Sequence, residues 1–209
     1  MKHLAYIILC FVMLCNVHFL NAQGDVTIGT QIWTSKNLDV STFRNGEAIP
    51  EAKSTEEWSN AGYNKTAAFC YYDYDSKNGK EYGKLYNWYA VNDPRGLAPE
   101  LYHIPSDAEW SVLTDYLGGE EIAGFKMKST TGWANNGNGD NSSGFKGMPG
   151  GYCNNNGNFN NITEYGYFWS SSEYNTYFAW FRNLYTDRTK VGRFGIIKDD
   201  GFSVRCLRD

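Results

Sequence analysis

The chain has 209 residues, of which 23 are acidic and 19 are basic, giving a net charge of −4. This balance argues against nucleic acid or an acidic surface as the partner. The length favours one domain, and an aromatic content of 17% supplies enough ring surface for a sizeable core.

The first residues are typical of a secretory signal peptide. Lys2 precedes an apolar run from Leu4 to Leu14, and Ala22 is a small residue at the expected cleavage point. The run is shorter than the roughly 20 apolar residues of a membrane span. We therefore predict a leader over residues 1–22, a single domain over 23–209, no later transmembrane segment, and export to the periplasm or the cell surface. Lipid anchoring is the less favoured alternative, because a leucine precedes each leader cysteine.

The first elements after the leader are short. Residues 31–34 alternate as a strand does, and Asn45-Gly46 is a turn dipeptide that predicts a hairpin. Ser54 and Glu57 have the spacing of a capping box. This spacing predicts a short helix with Trp58 as its apolar anchor.

Three helices are predicted in the middle of the chain. Apolar residues at helical spacing indicate one over residues 84–92. Ser106 and Glu109 form a second capping box before an apolar stripe, which predicts a helix over 107–117. A weaker pattern over 120–128 predicts a third helix that buries Ile122, Phe125 and Met127.

The last eighty residues change character twice. Residues 130–161 are rich in Gly and Asn but contain apolar side chains that disordered segments usually lack. We interpret them as an ordered, loop-rich insertion anchored by Trp133, Phe145, Met148, Tyr152 and Phe159. From residue 166 onward, alternating aromatic runs predict antiparallel strands, with Trp169, Trp180 and Phe202 in the core.

Three cysteines remain after leader removal, and export permits disulfides. Cys70 and Cys206 lie in strand-like runs, whereas Cys153 lies in the Gly/Asn-rich stretch. We predict a Cys70–Cys206 disulfide, with an unpaired Cys153 left over.

Several motifs occur together in a specific order: 84–91, 103–110, 149–152, 166–173 and 201–206. In this order they resemble the Fibrobacter succinogenes major paralogous domain family, over about residues 29–209. The resemblance implies a secreted or surface protein of bacteria of the Bacteroidota–Fibrobacterota kind. It supplies no catalytic residues, because the biochemical role of that family is undefined.

At greater distance, the terminal Gly-Phe-Ser-Val-Arg-Cys segment is similar to the end of C-type-lectin-like domains of the formylglycine-generating-enzyme variant. This similarity implies an α+β fold in which the terminal strands pair. Two main helices then flank a small, twisted, mostly antiparallel sheet that carries long Gly/Asn-rich loops. The paired catalytic cysteines of that enzyme have no match here, and Cys153 stands where a polar residue is expected.

Candidate chemistry is sparse, and we predict no catalytic residue. His103 is the only histidine after the leader, and we interpret it as fixing the loop before a helix. The serines at 170–172 lack a basic partner that would activate a nucleophile, so turn hydroxyls bonded to the backbone are favoured. Arg182, Arg193 and Arg205 are expected to pair with acidic residues.

Asn136, Asn138 and Asp140 alternate as the oxygen ligands of calcium loops do. Only Asp140 is charged, and no closing glutamate follows. An ordered polar turn is therefore the favoured interpretation, and a calcium site is the alternative.

Aromatic side chains in loops suit sugar rings, whose C–H faces stack on flat apolar surfaces. The candidate ligand-binding residues are Trp133, Tyr165, Tyr174, Tyr177 and Glu173, with Tyr185 a further aromatic candidate. We predict an exported, non-enzymatic binding or adhesion module whose partner is carbohydrate or another surface protein. Alternatives are a secreted polysaccharide hydrolase that uses Glu173 or Asp140, or a structural component joined through Cys153 or an edge strand.

Overall fold

The computed structural model describes residues 24–209, so the predicted leader and its cleavage site lie outside the described residues. The strands are β1 (Asp25–Ile28), β2 (Gln31–Thr34), β3 (Phe69–Cys70), β4 (Leu85–Tyr86), β5 (Tyr102–His103), β6 (Gly150–Cys153), β7 (Phe159–Ile162), β8 (Tyr165–Glu173), β9 (Phe178–Tyr185), β10 (Val191–Ile197) and β11 (Leu207–Arg208). The helices are α1 (Thr55–Tyr63), α2 (Gly79–Tyr82), α3 (Trp88–Val91), α4 (Asp107–Tyr116) and α5 (Glu120–Met127). No helix in this part of the chain has the length and apolar character of a membrane span.

The two ends of the domain meet in one four-stranded sheet, in the order β1-β2-β11-β5. Leu207 of β11 is paired with Trp33 on one side and with His103 on the other. The N–H of Thr34 also donates to the Cys206 carbonyl at 3.0 Å. The predicted strand over residues 31–34 therefore pairs with the last strand, and the two ends of the domain share one sheet.

The larger sheet has five strands in the order β10-β9-β8-β6-β7. The strands β8, β9 and β10 form an antiparallel meander in which Trp169 opposes Phe181 and Phe194 opposes Phe181 from the other side. This meander is the strand-rich segment that the alternating aromatic runs predict.

Core side chains cover both faces of the large sheet. On one face Phe168 and Leu184 pack with Trp33, Trp110 and Phe145. On the other face Trp169 and Phe181 pack with Phe202 and Tyr86. The sheet is therefore the shared centre of the domain, with α4 and α5 on the first face, as the α+β class requires.

The predicted capping signals hold. The Ser106 hydroxyl accepts from the N–H of Glu109, and the Glu109 carboxylate accepts from the N–H of Ser106. Ser54 caps α1 by accepting from Glu57, and Trp58 is buried. In α5, however, Met127 is buried whereas Ile122 and Phe125 are largely exposed, because Ala123 and Gly124 form the face that packs on the domain.

The predicted helix over 84–92 is wrong. Residues 85–86 form β4, and only residues 88–91 are helical, as α3. The short helix α2 ends just before this segment, at Gly83, where φ is +72°. A Cβ at Gly83 would lie 2.9 Å from the Leu38 carbonyl, so only glycine fits there. Residues 85–86 then pair with β3. Tertiary pairing overrides the helical spacing in this segment.

The Gly/Asn-rich region is ordered, as predicted. Trp133 and Phe145 are buried, and the region contains β6 and β7. The indole N–H of Trp133 donates to the Ser129 hydroxyl at 3.0 Å. These anchors hold the intervening loops against the core.

The predicted Cys70–Cys206 disulfide is wrong. Cys70, Cys153 and Cys206 are free and buried. Cys70 belongs to a cluster with Cys153, Trp58 and Leu85, whereas Cys206 lies in the cluster on one face of the large sheet. Cys153 is fully buried, so it cannot join neighbouring chains in the folded state.

Candidate functional site

Three of the predicted binding residues meet at the turn between β8 and β9. Glu173 ends β8, Tyr174 follows it, and Tyr177 precedes Phe178, the first residue of β9. The side-chain oxygen of Asn175 accepts from the N–H groups of Tyr177 and Phe178, which closes the turn. Tyr174 is 52% exposed and Tyr177 is 68% exposed, so both rings face solvent.

The strands beside this turn add further aromatic side chains. Phe178, Trp180 and Arg182 share one face of β9, because alternate residues of a strand point the same way. Gly195 of β10 lies opposite Trp180. The Tyr174 ring packs over Gly195. Trp180 is only half-buried, so its assignment to the core was wrong.

We call the group formed by Tyr174, Phe178, Trp180 and Arg193 the aromatic face. The rings of Tyr174 and Trp180 pack edge to face with centroids 4.7 Å apart. The guanidinium carbon of Arg193 lies 4.0 Å from the Trp180 ring centroid. This cation–π contact fixes the indole while leaving Tyr174 and Phe178 open to solvent.

The N-terminus of α4 borders the aromatic face. Asp107 accepts hydrogen bonds from Arg182 at 2.7 Å and from Arg193 at 2.6 Å. Burial favours a higher pKa for Asp107, but the hydrogen bonds and charges of the two arginines outweigh it and hold the pKa below its ordinary value. One carboxylate thus holds two guanidinium groups at this border.

Arg182 and Arg193 thus pair with an acidic residue, as predicted, although the partner comes from a helix. Arg205 differs, and its predicted acidic partner was wrong. Its buried guanidinium donates to the backbone carbonyls of Thr34, Phe145 and Lys146 and to the Asn37 side chain. Arg205 therefore holds the two ends of the chain to the loop region.

Glu173 and Lys198 form a charged pair on the opposite face of the large sheet, because Glu173 is paired with Ala179, which alternates with Phe178 and Trp180 along β9. The Lys198 ammonium donates to the Glu173 carboxylate at 2.7 Å and to the Thr176 carbonyl at 3.0 Å. It also lies 4.5 Å from the Trp88 ring centroid. Because the Glu173 side chain is 55% exposed, its carboxylate retains lone pairs that face solvent.

The remaining aromatic candidates are not at this site. Trp133 is 5% exposed, so it serves the core and cannot stack on a ligand, and the prediction for it was wrong. Tyr165 begins β8, about 26 Å along the strand from Glu173, where it packs against Tyr185 with ring centroids 5.2 Å apart. Tyr185 is itself buried.

The proposed calcium ligands take part in local turns. The Asn138 side-chain oxygen accepts from the N–H of Trp133, and the Asp140 carboxylate accepts from the N–H and hydroxyl of Ser142. Asn136 is exposed beside them. These bonds are those of the ordered polar turn that the sequence favours. Within residues 24–209, no group of three or more His, Cys, Asp or Glu side chains is placed to hold a metal ion.

His103 and the serines have structural partners. His103 Nδ1 lies 2.7 Å from Asp209 and Nε2 lies 3.0 Å from Glu109. Burial lowers the pKa of His103, but these two carboxylates outweigh it and raise the pKa above its ordinary value. The Ser172 hydroxyl accepts from the N–H of Asp107 at 3.0 Å, as expected for a hydroxyl that satisfies the backbone.

Sequence reasoning missed Phe178, Trp180 and Arg193 as members of the site. A signal was present for two of them: in Phe-Ala-Trp-Phe-Arg, strand alternation places Phe178 and Trp180 on one face. Nothing in the sequence shows that α4 leaves this part of the sheet uncovered. Lys198, the partner of Glu173, is distant along the chain and is recognisable only through that bond.

One comparison with known proteins gives a match. The family model described as the Fibrobacter succinogenes major domain matches residues 26–208. No curated protein and no solved structure matches the chain.

Proposed function

The chain belongs to the Fibrobacter succinogenes major domain family, and we propose that it is an exported, non-enzymatic module that binds polysaccharide through the aromatic face. One observation carries the proposal. Tyr174, Phe178 and Trp180 share one solvent-facing region at the end of a rigid sheet, beside the stacked guanidinium of Arg193. Aromatic side chains that are not needed for the core mark a binding surface.

The chemistry of the aromatic face suits a sugar chain. The C–H faces of sugar rings pack on flat aromatic rings, and sugar hydroxyls donate to carboxylates and accept from cationic donors. Arg193 offers donors beside the rings, and the Tyr174 hydroxyl can both donate and accept. The proposed binding involves no metal ion, and the ion pair of Glu173 with Lys198 on the other face of the sheet favours a structural role for Glu173 over acid–base chemistry.

The wider architecture supports the lectin-like fold as part of the same proposal. The terminal strands share a sheet, and the Gly/Asn-rich loops are ordered. In this arrangement a rigid scaffold presents turns and loops to a ligand, which is a common location for binding sites.

A glycan array with the exported protein tests the proposal, in the presence and absence of calcium. We expect binding to one class of polysaccharide, with equal signal in both conditions, and loss of about tenfold or more in Tyr174→Ala. Tyr63→Ala is the matched control, because Tyr63 is an exposed tyrosine on α1. Equal binding by the two variants, binding to proteins alone, or release of reducing ends would overturn the proposal.

A further inference from the structure

Two buried thiols meet in the small cluster beneath α1. Cys70 is the last residue of β3 and Cys153 is the last residue of β6. Both are fully buried, and both belong to the same buried cluster, together with Trp58, Tyr72 and Leu85. Cys206 lies in a different cluster, so the chain offers one close pair and one separate thiol among its described residues.

Packing on either side holds the two cysteine segments together. The Tyr72 ring lies against β6, where a Cβ at Gly151 would be 2.8 Å from Tyr72 Cε2. The Tyr74 hydroxyl donates to the Gly157 carbonyl at 3.0 Å. The segment that follows Cys70 is therefore laid along the segment that contains Cys153.

The position of Cys153 is fixed from its other side as well. Its N–H donates to the Gly201 carbonyl at 3.1 Å, and the N–H of Gly201 donates to the Cys153 carbonyl at 2.7 Å. Three separate parts of the chain thus converge on the thiol pair.

We propose that Cys70 and Cys153 form a disulfide when the chain folds in an oxidising compartment. The oxidant is a protein or glutathione disulfide. One cysteine thiolate attacks it to give a mixed disulfide and one released thiol, and the second cysteine displaces the other thiol. The two cysteines lose two electrons and two protons in total, and the oxidant is reduced to two thiols.

The disulfide must form before the core closes around the two thiols. Burial raises the pKa of Cys70 well above its ordinary value, and the adjacent Cys153 adds to the shift, so the folded thiol is a poor nucleophile. The same burial shields the finished bond from reductants. Cys206 stays a free thiol, because no second thiol lies in its cluster.

Peptide mapping of the exported full-length protein without reduction tests the pairing. We expect a peptide linked through Cys70 and Cys153, and an alkylated Cys206 after unfolding in the presence of a thiol reagent. The same chain made in a reducing cytosol is the control and should show all three thiols alkylated. Three free thiols in protein refolded from denaturant with a glutathione redox buffer, or a linkage that includes Cys206, would overturn the proposal.

Thermal unfolding gives a second, independent measurement. A disulfide across more than eighty residues is expected to raise Tm by about 10 °C relative to the reduced protein. Cys206→Ala should keep this difference, and the Cys70→Ala/Cys153→Ala double variant should abolish it. An unchanged difference in the double variant would contradict the pairing. If that variant does not fold, the peptide map of the unmodified sequence decides.

Discussion

The guanidinium of Arg193 is stacked on the indole of Trp180, with its central carbon 4.0 Å from the ring centroid. The same guanidinium donates from Nε to Asp107 at 3.0 Å. Arg193 therefore connects the first residue of α4 to the aromatic face. The orientation of Trp180 therefore depends on a charge pair whose acidic member, Asp107, lies outside the large sheet.

Replacing Arg193 tests this connection. We expect Arg193→Ala to weaken polysaccharide binding by about threefold, because the indole loses the contact that orients it. Arg193→Lys should restore the ion pair with Asp107 but only part of the binding, since an ammonium does not stack as a planar guanidinium does. Glycan titration measures both.

Stability should respond little to these changes. Exposed ion pairs contribute about 1 kcal/mol or less, so both variants should unfold within a few degrees of the wild type. Wild-type affinity in Arg193→Ala would show that the contact with Trp180 has no part in binding.

Gly195 gives a second test that leaves every ring in place. A Cβ at this position would lie 2.8 Å from Tyr174 Cγ. We expect Gly195→Ala to displace the Tyr174 ring and reduce affinity by about three- to tenfold, as loss of one stacking contact would. The backbone at Gly195 has no positive φ, so the fold should tolerate alanine.

A double-mutant cycle separates this effect from a general disturbance. In a Tyr174→Ala background, Gly195→Ala should cause no further loss, because its target ring is already gone. Additive losses would mean that Gly195 acts on binding by another route.

Asp107 is expected to be important for stability. Arg182 is 1% exposed, and Asp107 is the one carboxylate within ion-pair distance of it among the described residues. Removal of one member of a buried ion pair leaves the other charge unpaired. Asp107→Ala should therefore lower the free energy of unfolding by about 3 kcal/mol, measured by urea denaturation.

Asp115→Ala is the matched control, because Asp115 is an exposed aspartate on the same helix. It should change the free energy of unfolding by about 0.5 kcal/mol or less. An Asp107→Ala/Arg182→Met double variant should be more stable than Asp107→Ala alone, since no unpaired charge is then buried. Equal effects of Asp107→Ala and Asp115→Ala would disprove the role of the pair.

Asp200 should make stability depend on pH. Burial raises the pKa of Asp200 to about 7, and the nearby Asp199 adds to the shift, against the lowering effect of the N–H donated by Asn155. In the unfolded chain the pKa returns to about 3.9. The folded state thus binds the proton more tightly, and its contribution to stability is complete below about pH 4 and is lost as pH rises through 7.

Asp200→Asn removes this dependence while keeping an oxygen acceptor for Asn155. We expect the variant to be more stable than the wild type at pH 8 by up to about 4 kcal/mol, with the difference shrinking towards pH 4. Thermal unfolding at a series of pH values measures the difference. Asp187→Asn is the exposed control and should follow the wild type; a pH-independent difference for Asp200→Asn would rule out titration of this carboxyl.

Elements whose signals are local could be predicted from the sequence. Ser106 and Glu109 identify the start of α4, because a capping box satisfies backbone donors within one turn of helix. The aromatic alternation of β8 to β10 identifies the strands for a similar reason, since period-two burial requires only neighbouring residues. The helical spacing over 84–92 failed because Gly83 and β3, which is distant in sequence, decide its backbone.

The binding candidates show the same division. Tyr174 and Tyr177 follow from a turn between two recognisable strands, whereas Trp133 looks the same in sequence and is buried. Whether an aromatic residue on this face of the large sheet is exposed depends on how much of the face α4 covers. The residues next to that aromatic in the sequence do not determine this.

The sequence by itself determined the C-terminal strands, the capped helices and the family, because each rests on contacts between near neighbours or on ordered motifs. Only the tertiary structure decided which thiols meet, which carboxylate holds Arg182 and Arg193, and which rings remain outside the core. Those outcomes depend on packing between segments far apart along the chain, and that packing is set by the whole fold at once.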